Sequence, residues 1–175
     1  MRTKKMRSVL KWTSYVLFAL VLFCFQSAPT KIGIFSQVLY LLPFVVAFSC
    51  YEEIIPSVIF AAICGLFWDY SAQRQFGYSA LILCLLCVAV WVAMKFFVRP
   101  IFVSVAISVC ACALIYCILD FFFFFVLRDI ENTGAILLDV HLPLFIKTCI
   151  FGVGIAFLTE KIYKISPIRA KFDAD

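Results

Sequence analysis

Residues Cys64–Leu81 read CGLFWDYSAQRQFGYSAL. An apolar run closes on a carboxylate, Asp69; a short polar stretch follows, and then Gly77 opens a fresh apolar run. An ionisable group in the middle of a bilayer is costly and rare. Its position here, at the end of a run barely long enough to cross, marks the place where one span stops and the next begins.

The rest of the chain supports a membrane setting. Of its 175 residues 66% are apolar, mean hydropathy is +1.11 and only 14% are charged, against roughly a quarter in a soluble domain. Backbone in lipid must satisfy its own hydrogen bonds, which leaves helices or a closed barrel. Barrel strands alternate apolar and polar residues over about ten positions, whereas these runs are apolar on all sides for about 17 residues or more. The expected fold is therefore all-α, a single membrane domain over residues 1–175 built as a bundle of six transmembrane helices.

The expected spans are Trp12–Ala28, Ile32–Tyr51, Ile54–Tyr70, Tyr78–Val98, Ile101–Leu127 and Leu142–Leu158, followed by a basic tail over 159–175. The first has the basic head and apolar middle of a signal peptide. Gln26 and Pro29 flank Ala28, however, and spoil a small-x-small cleavage site, so it reads as an uncleaved span. Pro43 interrupts the second run, which a neighbouring helix can tolerate. Pro56 suits the first turn of the third, where its missing N–H has no intrahelical partner.

Charge then sets the expected orientation. With six spans, Arg2, Lys4, Lys5, Arg7, Lys11, Lys95, Arg99, Lys161, Lys164, Arg169 and Lys171 share one side, against Lys31, Arg74, Arg128 and Lys147 on the other. Eleven against four places both termini in the cytoplasm. The basic residues are split among short segments without interleaved aromatic platforms, so no nucleic-acid partner is expected. The lipid bilayer is.

Candidate chemistry is sparse. All nine cysteines fall inside apolar runs, where they read as small, soft packing residues; the Cys84–Cys87 spacing has no second pair and no nearby histidine to complete a metal site. The acidic pair in YEEIIP, Glu52 and Glu53, would need later histidines to act as a protease. The chain's one histidine, His141, lies on the opposite expected side and reads as interfacial. The glutamates read instead as a solvated turn capping the next helix. There is no Gly-rich phosphate loop and no G-x-S-x-G. Neither enzyme activity nor a cofactor or metal is expected.

Three intramembrane charges remain, Asp69, Asp120 and Lys147, and a pairing of Lys147 with one of the carboxylates is a natural hypothesis. FFFFF at Phe121–Phe125 covers every face of a helix and reads as lipid-facing and packing surface. Small residues four apart, Ala61 with Gly65 and Gly152 with Ala156, nominate the third and sixth spans for close helix–helix contact.

With the six-span layout, the motif GLFWDYSAQRQFGYSAL resembles the MreD family of bacterial rod shape-determining membrane proteins through Gly65, Leu66, Asp69, Ser71, Gly77, Ala80 and Leu81. AQRQF replaces that family's usual glycine-rich loop, and Phe76 stands where leucine is frequent. The resemblance implies a non-enzymatic scaffold of the bacterial cytoplasmic membrane that binds a single-span MreC-like protein. Through it, the scaffold would link MreB filaments to a SEDS glycosyltransferase and a penicillin-binding transpeptidase. It also implies a fold similar to the substrate-binding subunits of energy-coupling-factor vitamin transporters, which supplies the rival reading. Against that rival, the expected outer loops carry few groups able to bind a polar ligand.

Overall fold

The computed structural model describes residues 2–27, 38–73, 75–96, 101–126, 134 and 137–165. Among the described residues six α-helices form the bundle: α1 (Arg2–Ser27), α2 (Leu41–Tyr51), α3 (Ile54–Ser71), α4 (Tyr78–Phe96), α5 (Phe102–Phe121) and α6 (Leu142–Ile165). A π-helical turn, Phe122–Val126, extends α5, and a second, Leu137–His141, leads into α6. No strand occurs among the described residues. Arg74 and parts of the expected first, second, fourth and fifth spans and of the basic tail lie outside them.

Five stretches are long and apolar enough to cross a membrane: Val9–Ser27, Ile54–Ser71, Tyr78–Phe96, Phe102–Phe125 and Leu137–Lys164. The protein is accordingly a multi-pass membrane protein. On α3 Ile55, Ile59, Ile63 and Phe67, four residues apart along one stripe, are exposed, as is Tyr70 near the helix end, while Ser57, Ala61, Cys64, Gly65, Trp68 and Asp69 are buried. Polar and small residues face inward and bulky apolar ones outward, as expected where lipid replaces water as solvent.

The helices alternate in direction. Tyr15 packs on Phe48, Phe18 on Phe44 and Phe25 on Tyr40, so α1 and α2 run antiparallel. Likewise Val58 meets Cys84 and Gly65 meets Ala80 between α3 and α4. Phe102 meets Phe157, Val109 meets Gly152 and Asp120 meets His141 between α5 and α6. By contrast α2 runs parallel to α6, with Leu39 against Thr148, Pro43 against Gly152 and Tyr51 against Tyr163. The Lys11 ammonium lies 5.1 Å from the centre of the Tyr163 ring. The N-terminal end of α1 and the C-terminal end of α6 therefore share one end of the bundle.

The second span differs most from expectation. Its helix has 11 residues, about 16 Å of rise, roughly half a bilayer's hydrocarbon core. Residues 32–37 of the expected span lie outside the described residues, and 38–40 are not helical. Pro43 does not interrupt this helix: it is its third residue, in the first turn. A proline ring clashes with the carbonyl four residues earlier, here Leu39, so the helix begins after that residue. Every residue from Val38 to Cys50 is buried. α2 is thus an internal post with the other helices packed around it and no lipid face of its own.

A helix that starts inside a bundle must find acceptors for its first N–H groups. Tyr40, at the N-cap position, makes no side-chain cap. The neighbouring helices supply one: Gln26 Oε1 on α1 accepts from Leu41 N at 3.0 Å, and the fully buried Thr148 Oγ1 on α6 accepts from Leu39 N at 3.2 Å.

Candidate functional site

The Asp69 turn is the most completely built polar site. α3 ends as Ala72 N donates to Trp68 O at 2.9 Å, and Gln73 takes a left-handed backbone with φ of 50°. Gly77 follows at φ of 95°, a conformation that side-chain-bearing residues adopt only with strain. Leu81 N then donates to Gly77 O at 2.9 Å, which makes Gly77 the N-cap of α4.

Asp69, only 1% exposed, reaches across this turn to the new helix. Its Oδ2 accepts from Gly77 N at 2.9 Å, and both carboxylate oxygens accept from Ser79 N at 3.1 Å. Tyr78 N donates to Gln75 O at 3.2 Å. Three of the first N–H groups of α4 are thereby satisfied, and a full negative charge sits at the positive end of the helix. The carboxylate is tolerated inside the bundle because its lone pairs are occupied by backbone donors.

The turn is anchored on both sides. A Cβ at Gly65 would lie 2.3 Å from Ala80 Cα and 2.5 Å from Ala80 N, so only glycine lets α3 and α4 approach this closely. Beyond the carboxylate, the Ser79 and Tyr116 hydroxyls are 3.2 Å apart, and the Tyr116 ring stacks on Trp68 at 4.9 Å. A continuous set, buried but for the half-buried Gly77, thus joins α3, α4 and α5: Gly65, Trp68, Asp69, Gly77, Ser79, Ala80 and Tyr116. Ser79 and Tyr116 were not singled out from sequence; a serine two residues past a helix-capping glycine is the signal that could have found the first.

At the same end of the bundle, Asp120 Oδ2 on α5 and His141 Nε2, just before α6, are 3.6 Å apart. Both residues are buried, at 3% and 4% exposure. His141 is therefore an interior residue and not the interfacial one expected, because the π-helical turn rotates it inward while Leu137, Leu138, Asp139 and Val140 stay exposed. The phenylalanine run both faces outward, at Phe122 and Phe123, and packs inward, in keeping with the expectation of lipid-facing and packing surface. Phe121 and Phe125 meet the imidazole edge-on at 5.4 and 5.2 Å between ring centres, and Phe123 and Phe124 pack on Tyr78. Lys147 is half-buried further along α6.

The opposite end carries a third polar group. Glu52 is half-buried against Lys11, with which it forms an ion pair, and accepts from the Tyr15 hydroxyl at 3.3 Å. The Lys11 ammonium also faces the Tyr15 and Tyr163 rings. Glu52 is thus no solvated residue: Lys11 comes down one helical face to meet it. Glu53 caps α3 with its backbone only, its carbonyl accepting from Ser57 N at 3.2 Å and Ser57 Oγ at 2.8 Å.

The small residues on α3 and α6 serve the bundle itself. Ala61 and Ala156 are fully buried, and Gly65 faces Ala80 of α4. A Cβ at Gly152 would lie 2.8 Å from Val109 Cγ1 on α5 and 3.2 Å from Pro43 on α2. The Cys84 and Cys87 thiols point to carbonyls of different helices, Val58 O at 3.6 Å and Val45 O at 3.8 Å. No group of three potential metal ligands occurs among the described residues. No family model matches the chain, and neither a curated protein nor a solved structure does.

Proposed function

We propose that this protein is a non-enzymatic scaffold of the bacterial cell-elongation complex, seated in the cytoplasmic membrane and similar to MreD. The observation that carries the reading is the α3–α4 hairpin. Gly65, Asp69, Gly77 and Ala80, through which the sequence resembles that family, are the residues that close the helices together and cap the second one. A motif whose members each perform one step in building a turn is a stronger mark of kinship than apolar residues matching by composition.

In this reading the short α2 completes a six-element topology, with both termini on the cytoplasmic side. The end that joins the start of α1 to the end of α6 carries Lys11, Lys95, Lys161 and Lys164, and basic residues favour the cytoplasm. The exposed apolar faces are available to lipid and to the helix of an MreC-like single-span partner, through which MreB filaments and the wall synthases would be reached. Depletion in the source bacterium is expected to round up rod-shaped cells, and tagged protein should bring down a single-span MreC-like protein. Unchanged cell shape after verified depletion would sink the proposal, and reporter fusions at either terminus that read as external would reverse the topology.

One observation favours the rival, a substrate-binding subunit of a vitamin transporter. α2 begins inside the bundle beneath side-chain caps from Gln26 and Thr148, and broken helix starts of this kind line binding sites in transporters. Equilibrium dialysis against candidate vitamins separates the two readings, since tight binding of any one would favour the transporter.

A further inference from the structure

The scaffold reading makes no use of the Asp120–His141 pair, and the pair's geometry is unusual on its own terms. Its 3.6 Å separation is just beyond hydrogen-bonding distance, and among the described residues neither imidazole nitrogen has a hydrogen-bond partner although both are fully buried. Buried polar atoms in folded proteins are normally satisfied, so a side chain orphaned at both nitrogens calls for an explanation. The two π-helical turns flank the pair, one after Asp120 and one ending on His141. Such i→i+5 turns are rare and occur often at functional sites.

We propose that Asp120 and His141 form a proton-operated latch between α5 and α6. The imidazole takes one proton from the aqueous phase on its unprotonated nitrogen. The imidazolium then carries two donors and a positive charge, and a small adjustment of either π turn brings it onto Asp120. Closing that gap fastens the end of α5 to the start of α6. Imidazole is the side chain that changes charge between pH 5 and 8.

The surroundings suit a proton better than a metal ion, because no third ligand joins the pair among the described residues. The other titratable or charged groups at this end are Tyr116 and Cys117 on α5, Asp69 and Tyr78 on the α3–α4 side, Asp139 in the same turn as His141, and Lys147 on α6. The Asp69 carboxylate is occupied by Gly77 and Ser79, and Asp139 is exposed. The Phe121 and Phe125 rings stand perpendicular to the imidazole and close the site on two sides.

Because His141 is the chain's one histidine, a single labelled residue reports on the latch. Full-length protein carrying 15N-histidine in lipid nanodiscs should show one imidazole whose nitrogen shifts change between pH 8 and pH 5. Over the same range the unfolding temperature should rise by about 2–4 °C. Amide exchange in the two π turns, Phe122–Val126 and Leu137–His141, should slow after correction for its intrinsic pH dependence. Asp120→Asn, which keeps the side-chain shape, should abolish both the stabilisation and the slowing, and His141→Gln should behave alike. Nitrogen shifts that stay constant in the wild type, a measurement that needs no variant, would overturn the proposal. Unaltered pH slopes in Asp120→Asn would do the same.

Discussion

Two hairpins meet at one end of this bundle and solve the same problem differently. α3 and α4 are joined by a short turn in which a buried carboxylate, a left-handed glycine and a backbone-to-backbone contact leave little to chance. α5 and α6 end in π-helical turns around a carboxylate and an imidazole that come close without bonding. At Asp69 the carboxylate is filled by backbone donors, whereas at the second hairpin both imidazole nitrogens of His141 are buried without a hydrogen-bond partner among the described residues. The first hairpin is therefore a fixed joint, and the second is the place where the fold retains freedom to change.

The comparison is broken most severely at Gly65. Gly65→Val would drive side-chain carbon into the backbone of Ala80, and a loss of about 3 kcal/mol or more is expected, read as collapse of the monodisperse peak in detergent size-exclusion. Retention of a sharp peak with an unaltered melting temperature would mean the two helices are not that close.

Asp69→Ala comes next. It strands two buried N–H groups at the start of α4, and about 2–4 kcal/mol is expected, measurable by thermal unfolding of purified protein. Asp69→Asn should recover part of the loss, since one carbonyl oxygen remains.

Gly77→Ala has open space around the new methyl group and suffers only from the φ of 95°. The expected cost is about 1–2 kcal/mol, and Gly77→Asn should cost less than Ala does. Equal losses for the two substitutions would point to a steric cause.

The smallest effect belongs to the other hairpin. His141→Phe removes two orphaned nitrogens and adds a third ring to Phe121 and Phe125, so stability at pH 8 should change by less than about 1 kcal/mol. A loss as large as that of Asp69→Ala would erase the distinction between the hairpins.

Much of the joint was legible in the sequence because its parts are local. Asp69, Gly77 and Ser79 lie within eleven positions, and a polar interruption between apolar runs announces a turn. The five long helices were also legible: α3 and α4 start where expected, at Ile54 and Tyr78. What the sequence hid depends on distant partners. The arrival of Lys11 at Glu52 and of His141 at Asp120 is decided by helix register across the bundle, which no local pattern encodes. The shortness of α2 was hidden for a related reason, since an apolar run reads the same whether lipid or protein surrounds it. Pro43 was the clue; its effect on Leu39 sets the start of the helix, whereas a reading as mid-span interruption assumed helix on both sides.

The enclosure of α2 also bears on the order in which the chain assembles. Leu39 is bonded to Thr148, 109 residues later, and its helix is too short to settle across lipid alone. While the ribosome is still making α5 and α6, α2 has been synthesised but its walls have not. It must wait at the insertion machinery or lie loosely among α1, α3 and α4 until α6 arrives, so docking of this post is the closing event of folding. Chains truncated before α6 should therefore be recognised by membrane quality control as unfinished, even though four of the five long helices are already in place.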